Sequence, residues 1–214
     1  MTKSTFLVLG ATGGTGKHFV SKALADGHRV RALVRTPRKL TDAENLEVVK
    51  GSITDAIDTD ALVAGVDFIV SMLGDKTLQK TDKINLAFVE RLVPSMRRQG
   101  VKRFLYQAGG FSRASGQRLS PVLWVLRNTI ARSFEGQHRD NEAVIEYLAT
   151  QGMDIEWSVH RAGIGGDGPS KGSLERSKAK ISIASHKDCA AYNYRTVMDA
   201  SAIHTCDFSA YTRT

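Results

Sequence analysis

Two cysteines in 214 residues leave no disulfide framework, and Cys189 and Cys206 fit no metal-ligand spacing. Both read as free thiols in a reducing compartment, and no metal site is expected. The chain has no internal repeat, no low-complexity tract and no segment composed like a linker, so nothing divides it. No apolar run approaches the roughly 20 residues that a membrane span needs, and no membrane partner is expected. Met1 to Thr5 leads straight into a strand-like segment, so a cytoplasmic chain without a cleaved leader is expected. A run of basic residues is also missing. The net charge is +8, but the basic residues are scattered, with Thr36-Pro37-Arg38-Lys39 and Met96-Arg97-Arg98 the densest clusters. A basic surface that draws in anionic cofactors and substrates accounts for that excess, and nucleic acid is not an expected partner.

What is present is the balance of a globular protein, 42% hydrophobic and 24% charged, at a length that suits one α/β domain over 1–214. Hydrophobic runs alternate with helical patterns. Phe6-Leu7-Val8-Leu9, Arg29–Val34, Leu46–Lys50, Phe68–Met72, Arg103–Gln107 and Ile155–His160 read as strands. Helices are expected over 16–26, 56–64, 80–99 and 140–150, the first and third ending at Gly27 and Gly100. This alternation predicts a single-domain Rossmann fold, a doubly wound and mostly parallel sheet with helices on both faces. The least regular stretches, within 109–137 and 162–180, follow strands and are expected on the substrate side of the cofactor edge.

Gly10-Ala11-Thr12-Gly13-Gly14-Thr15-Gly16 follows the first strand and opens the first helix. In that context the glycines permit a tight turn, and pyrophosphate can approach backbone N–H groups at a helix N-terminus. Gly10, Thr12, Gly13, Gly14, Thr15 and Gly16 are therefore the candidate cofactor cradle. The second strand ends Val34-Arg35-Thr36-Pro37-Arg38, without the acidic residue that would hold an NAD ribose. Arg35, assisted by Arg38, suits a 2′-phosphate, so NADPH/NADP is expected over NAD; a solvated basic loop is the alternative. Ser52, Ile53 and Asp55 follow the third strand and suit an adenine ring and its amine, although Asp55 could equally cap the next short helix.

Together these segments resemble the atypical short-chain dehydrogenase/reductase superfamily, and within it the NAD(P)H-binding, NmrA-like group near flavin/biliverdin-IXβ reductase. Leu9–Gly16, Ala32–Arg35, Gly51–Asp55, Ser71-Met72-Leu73-Gly74, Val101–Phe104 and Arg161-Ala162-Gly163 carry the resemblance. It implies that Leu73 and Gly74 line the adenosine ribose and that Gln107, Ala108 and Gly109 lie near the nicotinamide. Arg161, Ala162, Gly163 and Ile164 would pass the carboxamide, and His204–Tyr211 would form a final strand and short tail. Superfamily members that reduce carbonyls carry a serine after the fifth strand and a Tyr-x-x-x-Lys pair on the following helix. Spacing places Gly109, Phe134 and His138 at those positions.

His138 is the candidate proton donor, or else a hydrogen-bond partner of ribose or backbone. Gly110, Phe111, Trp124, Phe134 and His160 are expected around the substrate, with a satisfied, half-buried histidine the alternative for His160. Val122, Leu123, Leu126, Ile130 and Phe134 recur at helical spacing, which suits a cap, ordinary core or an oligomer contact. Arg113, Arg118, Arg127 and Arg132 beside them suit an anionic substrate or a solvated basic face. The expected activity is NADPH-dependent hydride transfer to a conjugated small molecule by a monomer or homodimer. A non-catalytic NADP(H) sensor and a non-redox isomerase or cyclase are the alternatives.

Overall fold

The computed structural model describes residues 3–212; Met1 and Thr2, on which the expectation about a leader partly rests, lie outside it. The elements run β1 (Thr5–Leu9), α1 (Gly14–Ala25), β2 (Arg29–Val34), β3 (Leu46–Lys50), α2 (Thr59–Val63), β4 (Phe68–Ser71), α3 (Ile84–Gln99) and β5 (Arg103–Gly109). They continue with α4 (Pro121–Asn128), α5 (Glu135–Gln151), β6 (Glu156–Gly166), β7 (Leu174–Ser177), β8 (Ile183–Ser185), α6 (His186–Met198) and β9 (Thr205–Tyr211). The sheet order is β3-β2-β1-β4-β5-β6-β9-β7, with β8 beside the far end of β6. Every pairing is parallel except β7 with β9. This is a single Rossmann domain.

Burial on both faces explains the unbroken apolar strands. Phe88, Val89 and Leu92 of α3 and Val144 and Leu148 of α5 pack on Leu7, Ile69 and Phe104. On the other face Phe19 and Val20 of α1 and Ala190, Tyr194 and Val197 of α6 pack on Phe6, Val8, Val70 and Leu105. The strand C-termini therefore share one edge, and the loops that leave it form the site.

Several boundaries differ from those the sequence predicts, each for a physical reason. α3 begins at Ile84 rather than 80, because Leu78–Lys80 makes a separate short turn. No side chain next to α3 caps it; Asp140 of α5 does so, accepting the Asn85 and Leu86 N–H groups at 3.0 Å each. α5 begins at Glu135 rather than 140, and Gly136 lets its first turn approach the Gln79 carbonyl, where a Cβ would overlap. Asp58, not Asp55, caps α2. β6 runs on to Gly166, past the expected end at His160, and pairs with β8. β7, β8 and α6 have no counterpart in the sequence prediction. Ser185 caps α6 by accepting the Asp188 N–H, a Ser-x-x-Asp signature that was available.

Candidate active site

The site starts at the turn between β1 and α1. Gly10 adopts φ +88°, and a Cβ on Gly16 would overlap the Gly10 carbonyl oxygen. These two contacts close the turn, and no side chain caps α1. The open N–H groups of its first turn therefore face the strand edge, a ready seat for an anionic group.

One end of the cleft holds Gly10, Thr12, Gly13, Arg35, Ser52, Ile53, Leu73 and Gly74 together. Arg35 Nη1 reaches Asp75 across it at 3.3 Å. Hydrogen bonds from the Leu78 and Thr77 N–H groups hold the Asp75 carboxyl below its usual pKa. Two expected residues do not join this end. Arg38 sits on the short turn Pro37–Lys39, outside the cleft lining. Asp55 turns back to accept the Ser52 N–H at 2.8 Å and stays clear of the lining as well.

Gly13, Met72, Leu73 and Gly74 continue into a second, larger cavity of 560 Å³. Gly14, Thr15, Gln107, Ala108, Gly109, Gly110, Phe111, Phe134, His138, Ala162, Gly163 and Ile164 all line it. Leu123, Leu126, Ile130, Ile181 and Ile183 add apolar surface to the lining. None of residues 165–180 contributes to the lining.

His138 projects from the first turns of α5 and meets the Phe111 ring edge-on at 6.0 Å. It is buried, and among the described residues neither ring nitrogen has a partner in good hydrogen-bond geometry, although the Ala131 backbone lies near enough to favour the charged form slightly. Burial, then the nearby Arg127 charge, lowers its pKa below the ordinary value. The imidazole is therefore neutral near pH 7 and offers one N–H and one lone pair, not the imidazolium that a group titrating near neutrality would supply. Phe134 stands one turn earlier at the rim, with Lys76 Nζ 4.2 Å from its ring centroid.

Three other expected residues point elsewhere. Trp124 is on the far side of α4, in a surface groove with Arg113 and Arg118. His160 is fully engaged below the cavity floor, with Asn193 at Nδ1 and Ser209 at Nε2. The Arg161 side chain is buried against the Phe208 ring, 3.8 Å from its centroid, and Arg161 takes no part in the cavity lining.

The basic residues near α4 are not simply a solvated face. Arg127 is α4's buried residue, and it pairs with Glu142 and Glu135 of α5. Arg113 reaches Glu142 at 2.7 Å. Burial pushes the Glu142 pKa up, but the bonds from Arg113 and Arg127 outweigh it and hold the carboxyl below its usual range. Val122, Trp124 and Ile130 remain exposed, Ile130 to 78%. α4 is thus tied to α5 by charge, with Leu123 and Leu126 on the cavity lining.

Sequence reasoning missed His186. It opens α6, its Nδ1 lies 3.2 Å from Thr15 Oγ1, and a Cβ on Gly14 would collide with its ring. The capping signature at Ser185 could have placed it. Among the described residues no group of three His, Cys, Asp or Glu side chains could hold a metal, and no helix is long and apolar enough to cross a membrane. Burial raises the Cys189 and Cys206 pKa values to about 12 and about 11, which keeps both thiols protonated.

A backbone cradle with open N–H groups, a basic residue at the end of β2 and an enclosed cavity beyond fit a dinucleotide. The family described as NAD(P)H-binding matches residues 10–193. This chain belongs to that family. Its motifs resemble those of the atypical short-chain dehydrogenase/reductase group. A 3β-hydroxysteroid dehydrogenase/Δ5→4-isomerase of Mycobacterium tuberculosis is 30% identical over 177 residues, 76% of this chain and 47% of that protein. The chain spans about half the length of the curated relatives it matches. Among solved structures, the oxidoreductase ylbE of Lactococcus lactis superposes with TM-score 0.78 at 16% identity, covering 98% of this chain and 92% of the other. ChuY, an anaerobillin reductase of Escherichia coli O157:H7, gives TM-score 0.77 at 17% identity over 99% and 100% of the two chains. At that identity the likeness is one of fold.

Proposed function

We propose that the chain is an NADPH-dependent reductase that delivers hydride to a conjugated small molecule such as a flavin or a quinone, without a Tyr-x-x-x-Lys pair. The observation that carries this reading is the continuity of the cleft. The glycine turn and Arg35 lie at one end, and the apolar cavity containing the unpartnered His138 lies at the other. Its 560 Å³ falls within the ~300–1,000 Å³ of small-molecule sites.

Bound NADPH would supply the hydride. The residues do the rest. The N–H groups of α1 hold the pyrophosphate, and Arg35 exchanges Asp75 for the 2′-phosphate, a stronger partner. Phe111, Leu123, Leu126 and Ile181 give the cavity apolar surface against which a planar acceptor can lie. Neutral His138 donates a hydrogen bond from its N–H to a heteroatom of that acceptor without giving up the proton, and solvent supplies the proton that accompanies the hydride.

The test is titration with NADPH and NADH, followed by FMN, riboflavin and a simple quinone while nicotinamide absorbance is read. Acceptor-dependent NADPH oxidation is expected, together with a fall in kcat of about tenfold or more for His138→Phe at little changed NADPH affinity. Stoichiometric binding with no oxidation across the panel would favour a sensor. The exposed apolar residues Val122, Trp124 and Ile130, a surface suited to a protein partner, are what speak for that second reading.

A further inference from the structure

Below the cavity floor a chain of polar side chains links α6 to three strands. Gln107 lies at the C-terminal end of β5, 9% exposed, and lines the cavity. Its Oε1 accepts a hydrogen bond from Asn193 Nδ2 at 2.6 Å. Asn193 Oδ1 is 2.7 Å from His160 Nδ1, and His160 Nε2 is 2.8 Å from Ser209 Oγ. Gln107 and His160 are paired neighbours on β5 and β6, so they project to the same face, where Asn193 of α6 meets both.

Each link determines the next. Asn193 gives its amide hydrogen to Gln107, so its oxygen faces the imidazole. Nδ1 of His160 must then carry the hydrogen, and Nε2 accepts from the Ser209 hydroxyl. Burial lowers the His160 pKa to about 4, so the ring stays neutral and keeps one donor and one acceptor across the physiological range. With the Gln107 carbonyl engaged, its amide nitrogen has no partner among the described residues. That N–H group is what Gln107 offers the cavity.

We propose that Gln107 is a specificity-determining donor aimed at a carbonyl oxygen of the bound state, and that Asn193 and His160 are positioning residues that fix its polarity. Three buried polar groups cost desolvation, and apolar side chains would fill the same space. The arrangement is accounted for by its end point on the cavity. The carbonyl has two possible sources, the nicotinamide carboxamide or the acceptor itself. The proposal rests on the reductase reading for the site's occupants, but its tests need no turnover.

Asn193→Asp turns the donor to Gln107 into an acceptor. Gln107 then rotates and presents its carbonyl to the cavity. Gln107→Glu puts an acceptor there directly and leaves the chain below intact. Each variant is expected to weaken binding of the carbonyl-bearing ligand roughly 10- to 100-fold. If the carbonyl is the carboxamide, NADPH weakens while 2′,5′-ADP, which lacks nicotinamide, does not. If it belongs to the acceptor, both are unchanged and FMN binds the NADP⁺-loaded protein more weakly. Asn193→Asp adds no further loss in a Gln107→Met background. Equal weakening of NADPH and 2′,5′-ADP, or no weakening in either arm, overturns the proposal. So does a ¹⁵N spectrum of the unaltered protein that shows His160 with its hydrogen on Nε2 instead of Nδ1. If NADPH and FMN responses follow this pattern but no acceptor is ever reduced, the reductase reading fails and the polarity of Gln107 stands.

Discussion

The sheet from β3 to β4 and the sheet from β5 to β9 feed one cleft but hold it by different means. The first half makes its site from backbone, with the turn at Gly10–Gly16 closed by a φ +88° glycine and a contact that only glycine allows. The second half makes its site from side chains that meet across long stretches of sequence. Asp140 caps α3 from 55 residues away, Glu142 draws Arg127 and α4 inward, and Asn193 joins Gln107 across 86 residues. A backbone site is written in a short motif. A side-chain site is written in pairs whose members give no local sign of one another.

The comparison breaks most sharply at the glycine turn. Gly16→Val is expected to lower NADPH affinity by at least about 100-fold, ~2.7 kcal/mol, as read by fluorescence titration. Retention of normal affinity would mean that the turn is not the cradle. Next comes Glu142→Gln, which leaves the buried Arg127 with Glu135 as its remaining carboxylate beside the Phe111 carbonyl. A loss of about 3 kcal/mol in urea unfolding is expected, with early proteolysis inside 113–134 and NADPH affinity nearly unchanged. An equal fall in NADPH affinity would show that the two halves are not separable.

Acid tests the second half alone. His160 has its pKa lowered from 6.5 to about 4 in the fold, so between those values the unfolded chain takes up a proton that the folded chain refuses. Stability is fully present above pH 6.5 and is lost as pH falls toward 4, by up to about 3 kcal/mol. Unfolding measured at pH 7 and pH 4.5 should show most of that drop, and His160→Gln should remove the share due to His160 and leave the loss that the buried His138 adds in the same direction. The smallest effect belongs to Trp124→Ala, under about 0.5 kcal/mol and without change in turnover, because the ring lies outside the cavity. A clear fall in kcat would return Trp124 to the substrate wall.

The same division governs what the sequence made legible. The first strand was readable from an unbroken apolar run, the next four from short apolar-rich segments alternating with helical patterns, and the cradle from glycines in a strand-turn-helix setting. The start of α3 was not, because its cap comes from Asp140. α6 was overlooked although Ser185 and Asp188 mark its start, and with it went His186 and Asn193. Arg127 reads as a surface residue until Glu142 is beside it, and Trp124 reads as substrate wall until the rotation of α4 is known. His160 sits on the strand expected to reach the site, but its side chain points to the face that α6 covers.

Gly13, Met72, Leu73 and Gly74 border both the end of the cleft that holds Arg35 and the apolar cavity. A dinucleotide laid along that seam becomes part of the cavity's wall, so the acceptor meets a surface that is part protein and part cofactor. Such an arrangement sets a timetable: cofactor arrives first and leaves last, and the acceptor comes and goes between. Steady-state kinetics should then follow a compulsory order, with NADP⁺ competing against NADPH and the reduced acceptor competing against neither.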